Sequence, residues 1–182
     1  MTIRKILTEP NKILREKSLR VENIDKIIQK LMDDMLETLY AAPGIGLAAI
    51  QVGVAKRIIV MDISRNRDKD KDKEPKKNPM YFVNPKIVWK SEDKFTYEEG
   101  CLSVPNQFAN ISRPKQCHVK HLDYNGHPRE LKAEWLLATC IQHEIDHLEG
   151  ILFIDYLSKL KKEMIIKKLS KQTKDNVERI VV

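Results

Sequence analysis

Between Glu134 and Glu149 the chain carries a helix that has no place on a protein surface. At ~100° per residue, Leu137, Ile141 and Leu148 form one apolar stripe, while Leu136, Cys140, His143 and His147 share a separate arc roughly 60° wide. A helix with two non-polar faces is buried nearly all round, so the rest of the chain has to wrap it. Two unpaired imidazoles inside such a helix are costly. Side chains at i and i+4 lie one above the other, so His143 and His147 can point at one divalent cation, which removes that cost. Glu144 stands ~60° round the helix from His147, close enough to take a proton from a water on that cation. Leu136 and Cys140, on the imidazoles' own side, read as the wall of an apolar substrate pocket. A surface helix with two unrelated histidines, the plain alternative, conflicts with the two apolar faces.

A catalytic site of this kind needs a third ligand. The extended pattern H-E-x-x-H-x-x-G-x-x-H places Gly150 correctly but puts Phe153 where the last histidine belongs. Downstream, Asp155 and Glu163 are carboxylates, but neither stands about twenty residues beyond His147, where position 167 is Lys. A better donor lies upstream in Glu99-Gly100-Cys101-Leu102-Ser103, where Cys101 offers a thiolate. Cys101, His143 and His147 form a Cys/His/His set that leaves one coordination position open for water.

The rest of the chain reads as a single domain spanning 1–182. Ile24, Ile27, Ile28, Leu31, Met32, Met35, Leu36 and Leu39 recur at helical spacing, with Asn23 placed to cap the first turn and Ala42-Pro43-Gly44 to end the helix. Residues 57–62 and 80–89 read as strands, the second interrupted at Pro85. The Lys/Asp tract within 64–79 lacks a packing face and is expected to be a solvated, mobile loop. Residues 116–123 and 129–133 flank Asn125-Gly126, a strong hairpin signal. His118, His121 and His127 nearby are expected as exposed strand residues, and Cys117 and Cys140 as small core or pocket residues. Cys101, Cys117 and Cys140 are odd in number and without paired spacing, which disfavours a disulfide framework and points to a reducing compartment, the cytoplasm by default. No signal-peptide or membrane-span pattern is present.

Gly44-Ile45-Gly46-Leu47-Ala48-Ala49-Ile50-Gln51, Glu99-Gly100-Cys101-Leu102-Ser103 and Gln142-His143-Glu144-Ile145-Asp146-His147, in that order, resemble the three signature motifs of the peptide deformylase family. The resemblance implies an α+β fold, with antiparallel sheets packed around a central metal-binding helix, an N-terminal helix and a basic C-terminal helix. It implies removal of the N-formyl group from the initiator methionine of N-formyl-Met nascent polypeptides, releasing formate. The metal would be held by Cys101, His143 and His147, with Fe2+ natively and Zn2+, Ni2+ or Co2+ as possible substitutes. Glu144 would be the general base and then acid, and the side-chain amide of Gln51 and the backbone N–H of Leu102 would join the metal as oxyanion donors. The backbone around Ile45, Gly46 and Gly100 would pair with the extended peptide by strand addition. Tyr97, Phe108, Leu136 and Thr139 fall near the expected pocket for methionine, whose unbranched thioether adapts to an irregular site.

Two further readings compete. In the first, Cys101 is the nucleophile of an amidase and His143 its base, which leaves His147 and Glu144 without a role. In the second, the chain is an RNA-binding module with a structural metal, an idea encouraged by 33 basic against 26 acidic residues, a net charge of +7. Residues 158–182 carry much of that charge on an amphipathic pattern around Leu160, Met164, Ile165, Ile166 and Leu169. Its apolar side is expected to pack on the domain. Given a substrate that emerges from the ribosome, its lysines are also candidates for contact with ribosomal RNA. Neither DNA nor a membrane is expected as a partner.

Overall fold

The computed structural model describes residues 2–66 and 77–178, side chains at 65, 66 and 172–178 excepted. Most of the charged tract, residues 67–76, lies outside the described residues, and with it the expectation of a solvated loop.

Helix α1 (Lys26–Ala41) buries Ile28, Leu31, Met32, Met35 and Leu39, most of the stripe its periodicity predicts, but Ile27, counted in that stripe, is 77% exposed. Its cap is Asp25, not Asn23. Asp25 stands directly before the first helical residue with extended backbone (φ −96°), and its carboxylate accepts the N–H groups of Ile27 and Ile28 at 3.0 and 2.9 Å. The strands follow as β1 (Gly46–Ala48), β2 (Ile58–Met61), β3 (Met80–Lys90), β4 (Lys94–Cys101), β5 (Val104–Pro114), β6 (Gln116–Leu122) and β7 (Pro128–Glu134). An antiparallel sheet runs in the order β1-β2-β3-β6-β7, and β4 and β5 form a separate antiparallel pair.

Strand periodicity shows how the sheet is covered. On β2, Ile58 and Val60 join the apolar cluster of α1, whereas Ile59 and Met61 join that of α2 (Trp135–Leu148). Successive strand residues point to opposite faces, so a strand covered on both faces reads as an unbroken apolar run. Helix α2 lays Ala138, Ile141, Ile145 and Leu148 on the sheet. Its other side meets β4 and β5: Gln142 Nε2 donates to Pro114 O at 2.9 Å and Arg113 pairs with Asp146 at 2.7 Å. This is the wrapped helix that its two apolar faces require. Helix α3 (Lys159–Glu178) buries Leu169 against a third cluster that includes Val104, Ile111, Phe153 and Ile154.

Pro85 does not interrupt β3. The strand bulges there instead: its register against β6 shifts between Val83 and Lys86, Asn84 takes φ 52°, and the Asn84 side chain bonds both backbone groups of Val21. The Asn125-Gly126 hairpin forms, with Gly126 at φ 86°. Of the three histidines near it, only His127 is exposed. His118 packs at a tilt against Trp89 and His121 against Phe82, because β6 is an interior strand with neighbours on both sides.

The N-terminal segment is tied to α1 through Asp34, which accepts from Thr2 N at 2.9 Å and from Arg4 and Lys30. Burial works against the Asp34 charge, but these donors outweigh it and hold the carboxyl at about 2. A pKa depressed in the folded state gives stability that is complete above the ordinary carboxyl value and is lost as pH falls through the folded one. Asp34→Asn should therefore lower stability by about 1–2 kcal/mol at pH 7, after solvent screening of the exposed Lys30, and by almost nothing at pH 2. Urea unfolding of both proteins at the two pH values tests this; an equal deficit at both would contradict it.

Candidate metal centre

The hairpin between β4 and β5 presents Cys101 at the end of β4. The ladder register breaks after Gly100↔Phe108 and resumes at Cys101↔Val104, so the strand ends on the cysteine beside α2. From α2, His143 and His147 project toward it from adjacent turns. One donor atom from each of Cys101, His143 and His147 lies within 4.8 Å of the other two, the only such group of three among the described residues. Cys101 Sγ is 3.2 Å from His147 Nε2. A soft thiolate and two imidazoles suit a first-row transition metal. Phe153, which occupies the place of a third histidine in the longer pattern, is buried and stacks on the His143 ring with centroids 6.3 Å apart.

A buried chain of charges orients this set, and sequence reasoning missed it. His143 Nδ1 is 2.8 Å from Glu99 Oε2, which leaves Nε2 to face the metal position. Glu99 is gripped at both oxygens by Arg113, at 2.5 and 3.0 Å, and Arg113 also reaches Asp146. Burial opposes the charge on Glu99, yet His143 and Arg113 hold its carboxyl below the ordinary value. Ser103, also unforeseen, is fully buried and accepts from Gln51 Nε2 at 3.1 Å. Gln51 is thereby aimed at the hairpin end, with Nε2 3.6 Å from Cys101 Sγ, while its Oε1 accepts from Ala48 N at 2.8 Å.

Glu144 is buried, and its Oε2 has no protein partner. Burial first, reinforced by Glu99 and Asp146 and opposed by His143 and Arg113, pushes its carboxyl up to about 7. Gly46 makes room for it: a Cβ there would overlap Glu144 Oε1 and stand 2.9 Å from Cδ. The glycine predicted to admit substrate backbone thus also admits the carboxylate. Gly100 is covered in the same way by the Phe108 ring.

These groups line a cleft of about 580 Å³. Ile45, Gly46 and Gln51 border one side and Gly100, Cys101 and Leu102 the other, with Leu136, Thr139, Cys140, His143 and Glu144 contributed by α2 and Tyr97 and Phe108 by the hairpin. All the predicted site residues line this cleft except His147, which lies behind it against Cys101 and His143. All three cysteines are free; Cys117 is in the core and Cys140 in the cleft wall. No helix among the described residues is long and apolar enough to cross a membrane.

A family model described as polypeptide deformylase matches residues 3–163. The chain is 67% identical over 171 residues to a peptide deformylase of Pelagibacter ubique, covering 94% of this chain and 95% of that one. To one from Phenylobacterium zucineum it is 54% identical over 174 residues, covering 96% and 99%. A crystal structure of peptide deformylase from Ehrlichia chaffeensis in complex with actinonin superposes with a TM-score of 0.87 at 47% identity, over 94% of this chain and 98% of that one.

Proposed function

The chain belongs to the peptide deformylase family, metal-dependent hydrolases that remove the N-formyl group from the initiator methionine of new polypeptides, and we propose that Cys101, His143 and His147 hold its metal, Fe2+ in the native state. Zn2+, Ni2+ or Co2+ would fit the same donors. The observation that carries this assignment is the convergence of those three donors beside a buried carboxylate without a partner. A divalent ion there supplies Lewis acidity and an activated water. Glu144 would accept the proton of the attacking water and hand it to the leaving amine. The Gln51 amide and the Leu102 N–H stabilise charge on the formyl oxygen, and Glu99 fixes the tautomer of His143. Ile45, Gly46 and Gly100 supply backbone to an extended peptide, and Leu136 and Cys140 line the pocket for methionine. Residues 1–182 act as one catalytic domain.

Chelation separates this reading from the cysteine-amidase alternative. Anaerobically purified protein should contain about one transition metal per chain and release formate from formyl-Met-Ala. It should lose at least 95% of that activity on treatment with a chelator and recover it with added Fe2+ or Ni2+. Activity that survives metal removal would favour Cys101 as nucleophile.

The basic helix α3 supports a second element of the proposal, contact with the ribosome in the cytoplasm, where formylated chains and a reduced thiol coexist. Its apolar side packs only in part: Leu169 is buried and Ile165 and Ile166 pack beside it, but Leu160 and Met164 are exposed, and Lys167, Lys168 and Lys171 face outward. Deleting the helix would also strip Leu169 from the core, so charge reversal is the cleaner test. Changing these three lysines to Glu should weaken ribosome binding about tenfold or more at 100 mM salt and flatten its salt dependence. Unchanged co-sedimentation would remove this element.

A further inference from the structure

Trp135 is the most strained side-chain-bearing residue near the cleft. It opens α2 with φ 52°, a left-handed conformation that is rare for a bulky residue and costs of the order of 1–3 kcal/mol. Its backbone N–H donates to Lys115 O at 2.9 Å, which ties it to the turn between β5 and β6. Its ring is half exposed, meets Phe95 edge-on at 5.4 Å and lies under Lys115 Nζ at 3.9 Å. Phe95 lies 6.0 Å from Tyr97, a wall of the cleft, and the next residue of α2, Leu136, is another wall. The aromatic row Tyr97, Phe95, Trp135 is thus continuous with the cleft and leads away from the metal position along β4.

Strand β4 is bonded on one side only, to β5, among the described residues. A peptide that adds to its other edge with the formyl group beside Cys101 runs from Gly100 toward Lys94. At about 3.3 Å per residue, Tyr97 lies roughly 10 Å and Phe95 roughly 17 Å from Gly100, the reach of the fourth to sixth residues of the substrate. Side chains of an added strand alternate, so one in two of them faces the row. We propose that Trp135, with Phe95, forms an outer subsite that binds an apolar, preferably aromatic, side chain at the fourth to sixth residue of the formylated polypeptide. The inference rests on the deformylase reading of the same cleft. Lys115 holds the indole in place from above, and the backbone strain is tolerated because two ring contacts and the backbone bond to Lys115 O fix the residue in one position.

The test compares formyl-Met-Ala with two formylated hexapeptides that carry either Phe or Ser at positions four to six. Wild type should prefer the Phe peptide about three- to tenfold in kcat/KM, the range of one aromatic contact. Trp135→Gly suits the left-handed backbone, so it should fold, and it should bring that preference close to one. In a Trp89→Phe protein, where Trp135 is the remaining tryptophan, the unformylated Phe hexapeptide should shift or quench emission and the Ser peptide should not. A preference retained in Trp135→Gly, or no preference in wild type, would overturn the proposal. Failure of wild type to hydrolyse even formyl-Met-Ala would overturn the deformylase reading instead, and this proposal with it.

Discussion

Replacing Glu144 by Gln should lower kcat for formyl-peptide hydrolysis by about 10²–10⁴-fold, the usual contribution of a positioned general base, while the protein still binds one metal per chain. The substitution isolates proton transfer because it costs little else. Glu144 is buried, one of its oxygens has no protein partner, and the amide has nearly the same shape, so no hydrogen bond to the protein has to be given up. Burial already opposes the charge on this side chain, so a neutral amide should be tolerated or even stabilising. The proposed ligands His143 and His147 lie on either side of it in sequence, and it is not one of the three clustered donors. Metal analysis and steady-state kinetics on the same preparation decide the matter. Full activity with full metal would leave family and substrate standing and remove Glu144 as the base. Lost activity with lost metal would show that the side chain supports the ligands and would not measure proton transfer at all.

How far the sequence revealed this arrangement depended on whether a signal was local. The α2 pattern required a helix covered on both sides, and the structure covers it with the five-stranded sheet on one side and the β4–β5 pair on the other. Cys101 was reached as a candidate third ligand by exclusion, since Phe153 could not bind metal and Cys101 could, and the fold does bring its thiol beside both imidazoles. The cap of α1 was misplaced because Asn23 and Asp25 are both good capping residues two positions apart, and only the backbone shows which precedes the first turn. The charge chain behind His143 was missed for a different reason: its members come from β4, β5 and α2, and nothing in a single segment announces their meeting. A signal was nevertheless present in strand parity. Ala109, Ile111 and Arg113 are all buried and alternate along β5, so the arginine follows the inward apolar positions, where an unpaired charge is not tolerated. By the same parity Glu99 follows Phe95 and Tyr97 on β4, facing α2. The strained backbone of Trp135 had no sequence signal, because the residue usually chosen for that conformation is glycine.

Removing Arg113 should be the most damaging single change to stability near the centre. The Arg113–Glu99 pair has both side chains only 4% exposed, so its own net worth is small: desolvation of two ions consumes most of their attraction. Breaking it is another matter. Arg113→Met would leave Glu99 charged, buried and close to Glu144, whose carboxyl Glu99 already disfavours, and would also release Asp146. A cost of about 3–5 kcal/mol in urea unfolding is expected. Freed from the guanidinium, Glu99 no longer fixes the His143 ring, so metal affinity should fall about 10–100-fold as well. The double variant Arg113→Met with Glu99→Gln tells the two effects apart. It removes the stranded charge, so it should recover at least half of the lost stability, but an amide cannot orient His143 as a carboxylate does, so metal affinity should stay low. Stability and affinity recovering together would mean that the pair acts only as packing, and a single variant losing less than about 1 kcal/mol would mean that water reaches Glu99 despite its burial.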